Sequence, residues 1–165
     1  MLLNDCDPGF KYEVAAEPGG AGIKACFGCS ACTARCPVGG HVEGYDPRRI
    51  IRLTLLGRRE EVLSSPLIWL CSTCYTCGEV CPQQVGFTEV LTAIKNIAAR
   101  AGYGPPSTDA IINQLAAHGR LLEVGEFENE RRTDLGLPEV CESPAHFQAV
   151  LGVEPPPDHD AGEEG

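Results

Sequence analysis

No stretch of the 165-residue sequence approaches 18 consecutive apolar residues, so the chain is expected to cross no bilayer. Basic residues are scarce, 13 Lys and Arg against 23 Asp and Glu, for a net charge of −10. Such a surface would repel polyphosphate, which argues against a nucleic-acid partner. The start, Met1-Leu2-Leu3-Asn4-Asp5, lacks the basic segment and apolar run of a secretory signal. The expected compartment is therefore the cytoplasm, with any membrane association made through partner subunits. Also missing are G-x-G-x-x-G, a phosphate-binding loop and a defensible Ser/His/Asp set, so no catalytic residue is assigned. Few alternating strand patterns are present. At 43% hydrophobic, the chain is nonetheless no disordered acidic segment.

What the sequence does have is cysteine, ten in all, alongside 19 Gly and 13 Pro that limit the hydrophobic core. In a reducing compartment disulfides seldom persist, so thiols in this number point to metal or redox chemistry. Eight of them form two groups. The first is Cys26-Phe-Gly-Cys29-Ser-Ala-Cys32-Thr-Ala-Arg-Cys36-Pro37, the second Cys71-Ser-Thr-Cys74-Tyr-Thr-Cys77-Gly-Glu-Val-Cys81-Pro82. Each Cys, and the Pro behind it, recurs 45 positions later. Both groups read C-x2-C-x2-C-x3-C-P, the run of two-cluster ferredoxins, in which the fourth Cys ligates the other cluster. Two-residue gaps let three sulfurs of a tight loop converge on one cube of iron and sulfide, while the fourth leaves the loop. The expectation is two [4Fe–4S] clusters, one on Cys26, Cys29, Cys32 and Cys81, the other on Cys71, Cys74, Cys77 and Cys36. Two structural zinc sites are the competing reading, but zinc needs neither the third close Cys nor the Pro.

The remaining candidates are weaker. Cys6 and Cys141 have no partner at ligand spacing and read as idle or packed thiols. The histidines, at 41, 118, 146 and 159, are scattered. Phe27 and Tyr75, inside the cysteine loops, are expected to pack over the clusters and exclude water. Arg48, Arg49, Arg52, Arg58 and Arg59 form one basic patch, read as a solvated helix face or as a docking surface for an anionic partner.

The pattern between the cysteines is helical, so the expected fold is mainly α. Asp46 and Pro47 open a helix through Ile50, Ile51, Leu53, Leu55 and Leu56, with Gly57 as its stop. A short helix covers Arg58 to Leu63. Thr88 would cap a helix to about Ala101, since Val90, Leu91, Ile94, Ile97 and Ala98 share one face. Ser107 or Thr108 opens another, ended by Gly119, and Ser143-Pro144 a last one to Leu151. The organisation expected is an irregular arm over 1–24, with a short element near Tyr12 to Ala16, a cluster domain over 25–102, a helical docking extension over 103–153 and an acidic tail over 154–165.

From about Ala25 to Pro138 the sequence resembles the small iron–sulfur subunit of heterodisulfide reductase, its C-type component. Besides the two cysteine motifs, the likeness rests on Glu61-Val62-Leu63-Ser64-Ser65, Trp69-Leu70 before Cys71, Ile94-Lys95-Asn96-Ile97-Ala98 and Leu135-Gly136-Leu137-Pro138. The resemblance implies an α-helical ferredoxin fold with two cluster-binding loops and a helical C-terminal region, acting as a non-catalytic relay. It implies as partners an A-like flavin subunit that delivers electrons and a B-like catalytic subunit whose cysteine-rich clusters act on a disulfide. That substrate would be the heterodisulfide of coenzymes M and B, or a thiol or disulfide of bacterial sulfur metabolism. The motif is shared with iron–sulfur subunits of other dehydrogenases, and a free ferredoxin carrier is a further alternative.

Overall fold

The computed structural model describes residues 6–122, 124–141 and 143–152. The expected acidic tail and His159 lie outside them. Among the described residues there are helices, 3-10 segments and turns but no strand, as the sequence pattern leads one to expect. The chain forms two compact units, dividing between Gly104 and Pro105.

The first unit is built around a helix hairpin. Helix α3 (Pro47–Leu55) starts where expected: Asp46 accepts a hydrogen bond from the Arg49 N–H at 3.1 Å, and Pro47 occupies the first helical position. It buries Ile50, Ile51 and Thr54, and the Thr54 hydroxyl donates to the Ile50 carbonyl at 2.9 Å. Gly57, with φ +77°, turns the chain into α4 (Arg59–Leu63). The long helix α6 (Phe87–Arg100) brings Val90, Leu91, Ala93, Ile94, Ile97 and Ala98 into the same core. Its cap differs from the expectation. Gly86 is the N-cap, and Thr88 lies inside the first turn, buried, with its side chain turned to sulfur.

The short element expected near Tyr12 to Ala16 is a helix that begins two residues earlier. Helix α1 (Phe10–Ala16) buries Phe10 and Val14 completely, and a 3-10 segment (Ala21–Ala25) buries Ile23. Apolar residues four apart in sequence share a helix face, and here that short stripe docks on α6 and α3. A Cβ at Gly22 would stand 2.3 Å from the Val85 carbonyl oxygen, so only glycine lets the segment before the first cysteine loop lie against the chain just after the second.

The two cysteine loops repeat in backbone as well as in sequence. Helix α2 (Ala31–Ala34) and α5 (Thr76–Glu79) are single turns at equivalent places, and they pack on each other. Each is entered through a left-handed residue, Ser30 at φ 70° and Tyr75 at φ 60°. Two positions earlier Gly28 (φ 79°) and Thr73 (φ 51°) again match.

The second unit holds α7 (Pro106–His118), α8 (Glu126–Asp134) and α9 (Pro144–Leu151). Helices α7 and α9 pack together around Ala116, whose carbonyl accepts from Gln148 Nε2 at 2.8 Å. Helix α8 has no apolar stripe to reveal it. Its acidic first turn and its Arg131 and Arg132 in the last complement the helix dipole, and Glu128 accepts from the Gly125 N–H at 3.0 Å.

Candidate metal centre

Two recesses open where α2 and α5 meet. The first is lined by Cys26, Cys29, Cys32, Cys77 and Cys81, and floored by Ile51, Val85 and Phe87. The second is lined by Cys36, Cys71, Cys74 and Cys77, with Tyr45, Phe87 and Thr88. Each recess thus has three cysteines of one loop and the last cysteine of the other, while Cys77 and Phe87 border both. None of the eight is in a disulfide. Among the described residues no three His, Cys, Asp or Glu side chains converge tightly enough to hold a single ion.

The loops present hydrogen to these sulfurs. The Thr73 N–H points at Cys71 Sγ and the Val85 N–H at Cys81 Sγ, both at 3.4 Å. Cys77, the only buried one of the eight, has its Sγ 3.3 Å from Thr88 Oγ1. Burial pushes the Cys32 thiol up, the Thr33 contacts only partly opposing it. At exposed Cys74 the Thr76 backbone N–H, then its hydroxyl, draw the thiol below its usual range.

The first loop is pinned to α3 by a polar relay. Thr33 Oγ1 donates to Asp46 Oδ1 at 2.5 Å and accepts from the Arg48 N–H at 3.1 Å. The residue before Asp46, Tyr45, is 3% exposed, and its hydroxyl has no hydrogen-bond partner among protein N and O atoms. Burial, then the neighbouring Cys71, Cys36 and Cys77 thiols, push that phenol well above its ordinary value. A buried hydroxyl without a partner is unfavourable by about 1–3 kcal/mol. Facing a ring of thiols, it fits a site whose occupant presents sulfur acceptors. The donor set and this hydroxyl together fit a thiolate-held cluster.

Phe27 lines the first recess and is 64% exposed; Tyr75 is 53% exposed and lines neither recess. Ile51, Val85 and Phe87 supply further apolar walls. Two carboxylates offset the basic patch in part: Arg59 makes a two-point pair with Glu13 at 3.1 Å, and Arg58 and Arg49 share Glu61 at 2.9 and 3.6 Å. Arg48 remains at the rim of the first recess. Sequence reasoning missed Tyr45 and Thr88, although Tyr45 stands directly before the helix cap with Ile50 five residues on, the spacing of a hydrophobic staple.

Residues 21–85 match the family model described as a 4Fe-4S dicluster domain. The C-type subunit of the H(2):CoB-CoM heterodisulfide,ferredoxin reductase of Methanothermobacter thermautotrophicus is 33% identical over 145 residues, covering 88% of this chain and 77% of that protein. The chain belongs to the family of heterodisulfide reductase C-type subunits. Its counterpart in the Ferredoxin:CoB-CoM heterodisulfide reductase of Methanosarcina mazei is 33% identical over 132 residues, 80% of this chain and 81% of that one. A second iron-sulfur C-type subunit, from the CoB--CoM heterodisulfide reductase of Methanocaldococcus jannaschii, reaches 39% over 116 residues, 70% of this chain and 61% of that one. As a member of this family, the chain is an iron–sulfur electron-transfer component of an oxidoreductase complex, with two [4Fe–4S] clusters as its cofactors. It works with partner subunits. No described helix is long and apolar enough to cross a membrane.

Proposed function

We propose that Cys26, Cys29, Cys32 and Cys81 hold one cluster and Cys71, Cys74, Cys77 and Cys36 the other. The observation that carries this assignment is the mixed lining of each recess: the first has Cys26, Cys29 and Cys32 with Cys81 and the shared Cys77, the second Cys71, Cys74 and Cys77 with Cys36. When bound, the clusters supply sites that accept and release one electron at a time. The chain's own contribution is to hold two such sites on either side of Phe87, to point amide hydrogens at the sulfurs and to wall both recesses with apolar side chains.

On this reading electrons arrive from a flavin-bearing A-like subunit and leave to a B-like subunit that acts on a disulfide. The names of the relatives support the heterodisulfide of coenzymes M and B as that substrate, and a cytoplasmic setting is part of the same proposal. Residues 25–102 form the electron-carrying part, and 103–153 serve as a docking extension. The extension's exposed Leu121, Leu122, Phe127, Leu135 and Val150 support that role.

Single Cys→Ala variants prepared anaerobically test the ligand sets. C29A and C81A are expected to lose the same cluster and to leave the same residual electron paramagnetic resonance signal. C74A and C36A are expected to leave the opposite one. If C81A instead resembles C74A, ligation is not crossed.

A further inference from the structure

The hydroxyl of Tyr45 is the one polar group in the centre whose role the ligand sets leave open. The residue is held from both sides: its N–H donates to the Val42 carbonyl at 3.2 Å, and the next residue, Asp46, is locked by Thr33 and Arg49. A Cβ at Gly39 would come within 3.1 Å of the Tyr45 carbonyl oxygen, so the backbone there has close neighbours too. The ring is therefore fixed, with its Oη inside the protein and without a protein N or O partner. It lines the second recess together with Cys36, Cys71, Cys74 and Cys77. The polar side chains of the first recess differ: Ser30, Arg48 and Gln83 are partly or fully open to solvent, so water competes for them.

We infer that Tyr45 donates its hydroxyl hydrogen to a sulfur of the cluster held by Cys71, Cys74, Cys77 and Cys36, and by doing so raises the reduction potential of that cluster alone. The physical reason is charge. Taking up one electron makes the cluster and its thiolates more negative, and a buried O–H dipole aimed at sulfur stabilises that state more than the oxidised one. Tyr45 is thus a positioning residue for the electron within the pair: its hydroxyl biases residence toward the second site. The inference rests on the ligand sets proposed above.

The test is Y45F, which keeps the ring and removes the hydroxyl. Potentials are followed by paramagnetic resonance during reductive titration with dithionite, in the holo chain. Y103F is the control, because the Tyr103 hydroxyl donates to Glu60 instead. The expected result in Y45F is full iron and sulfide content, with one of the two couples shifted about tenfold toward the oxidised form, about 59 mV for one electron. The shifted signal should be the one lost in C74A. Two unshifted couples, or a shift in the signal lost in C29A, would overturn the inference while leaving the two-cluster relay intact. Should Y45F fail to hold both clusters, 3-fluorotyrosine at position 45 decides. It is a stronger donor of the same shape, and the same couple must move upward; no movement overturns the inference. Loss of the crossed pattern among the cysteine variants would instead remove the ligand sets beneath it.

Discussion

Ser30 and Tyr75, 45 residues apart, enter their helical turns through the same left-handed backbone, and so do Gly28 and Thr73 two positions before them. The duplication thus persists in conformation after the side chains have diverged. At one of these positions the divergence is unfavourable: a β-branched Thr73 at φ 51° carries strain that glycine at 28 avoids. T73G is expected to raise stability by about 1 kcal/mol, and G28A to lower it by about the same amount. Denaturant titration of the holo chain reads both. A destabilised T73G would mean that the Thr73 hydroxyl bond to the Ser72 carbonyl outweighs the strain.

Thr33 joins the first loop to α3 through Asp46 and the Arg48 N–H. T33V keeps the shape and removes both bonds, at an expected cost of about 1–2 kcal/mol. Because the anchor belongs to the Cys32–Cys36 loop, iron should also be lost faster to a chelator. Equal rates in T33V and wild type would show that the loop is held elsewhere.

Phe10 is fully buried in α1 and has the Arg59 guanidinium 5.7 Å from its ring centroid. F10A is expected to cost about 3–5 kcal/mol, as for other buried phenylalanines. Removing only the charge, by R59M, should cost about 1 kcal/mol, since the partner Glu13 is part-exposed and the pair is screened. Thermal melts of the two variants separate core packing from the surface pair.

Tyr103 donates to Glu60 Oε1 at 2.5 Å, and that side-chain bond raises its phenol above the usual value of 10.0. A raised folded value means that the folded chain holds this proton more tightly than the unfolded one. The stabilisation is therefore complete below the ordinary phenol range and disappears as pH rises through the raised value. The stability difference between wild type and Y103F should be constant from neutral pH to about 9 and should shrink in more alkaline solution. A difference unchanged across that range would mean that the bond does not survive in solution.

Much of this arrangement was legible in the sequence, for identifiable reasons. Asp46-Pro47 and Gly57 carry conformational preferences strong enough to mark both ends of α3, and the apolar stripe of α6 declares its helix. The spacing of the cysteines, with their neighbours, was enough to point to the family. Other features were hidden because their signal is tertiary. Thr88 looks like a cap and is a partner of the Cys77 sulfur; Gly86, a poor guess on composition, does the capping. The short element near Tyr12 to Ala16 was legible, but not that it starts at Phe10 or that Phe10 and Val14 join the core. Tyr45 reads as one more core aromatic, and only its unpartnered oxygen sets it apart.

Gly22 lies so close to the Val85 carbonyl that no side chain fits between them. Main chain, not an exchangeable residue, therefore governs how near the two halves of the repeat can stand. A side chain at position 22 would force these two stretches of main chain apart, while substitutions at the surface leave their approach untouched.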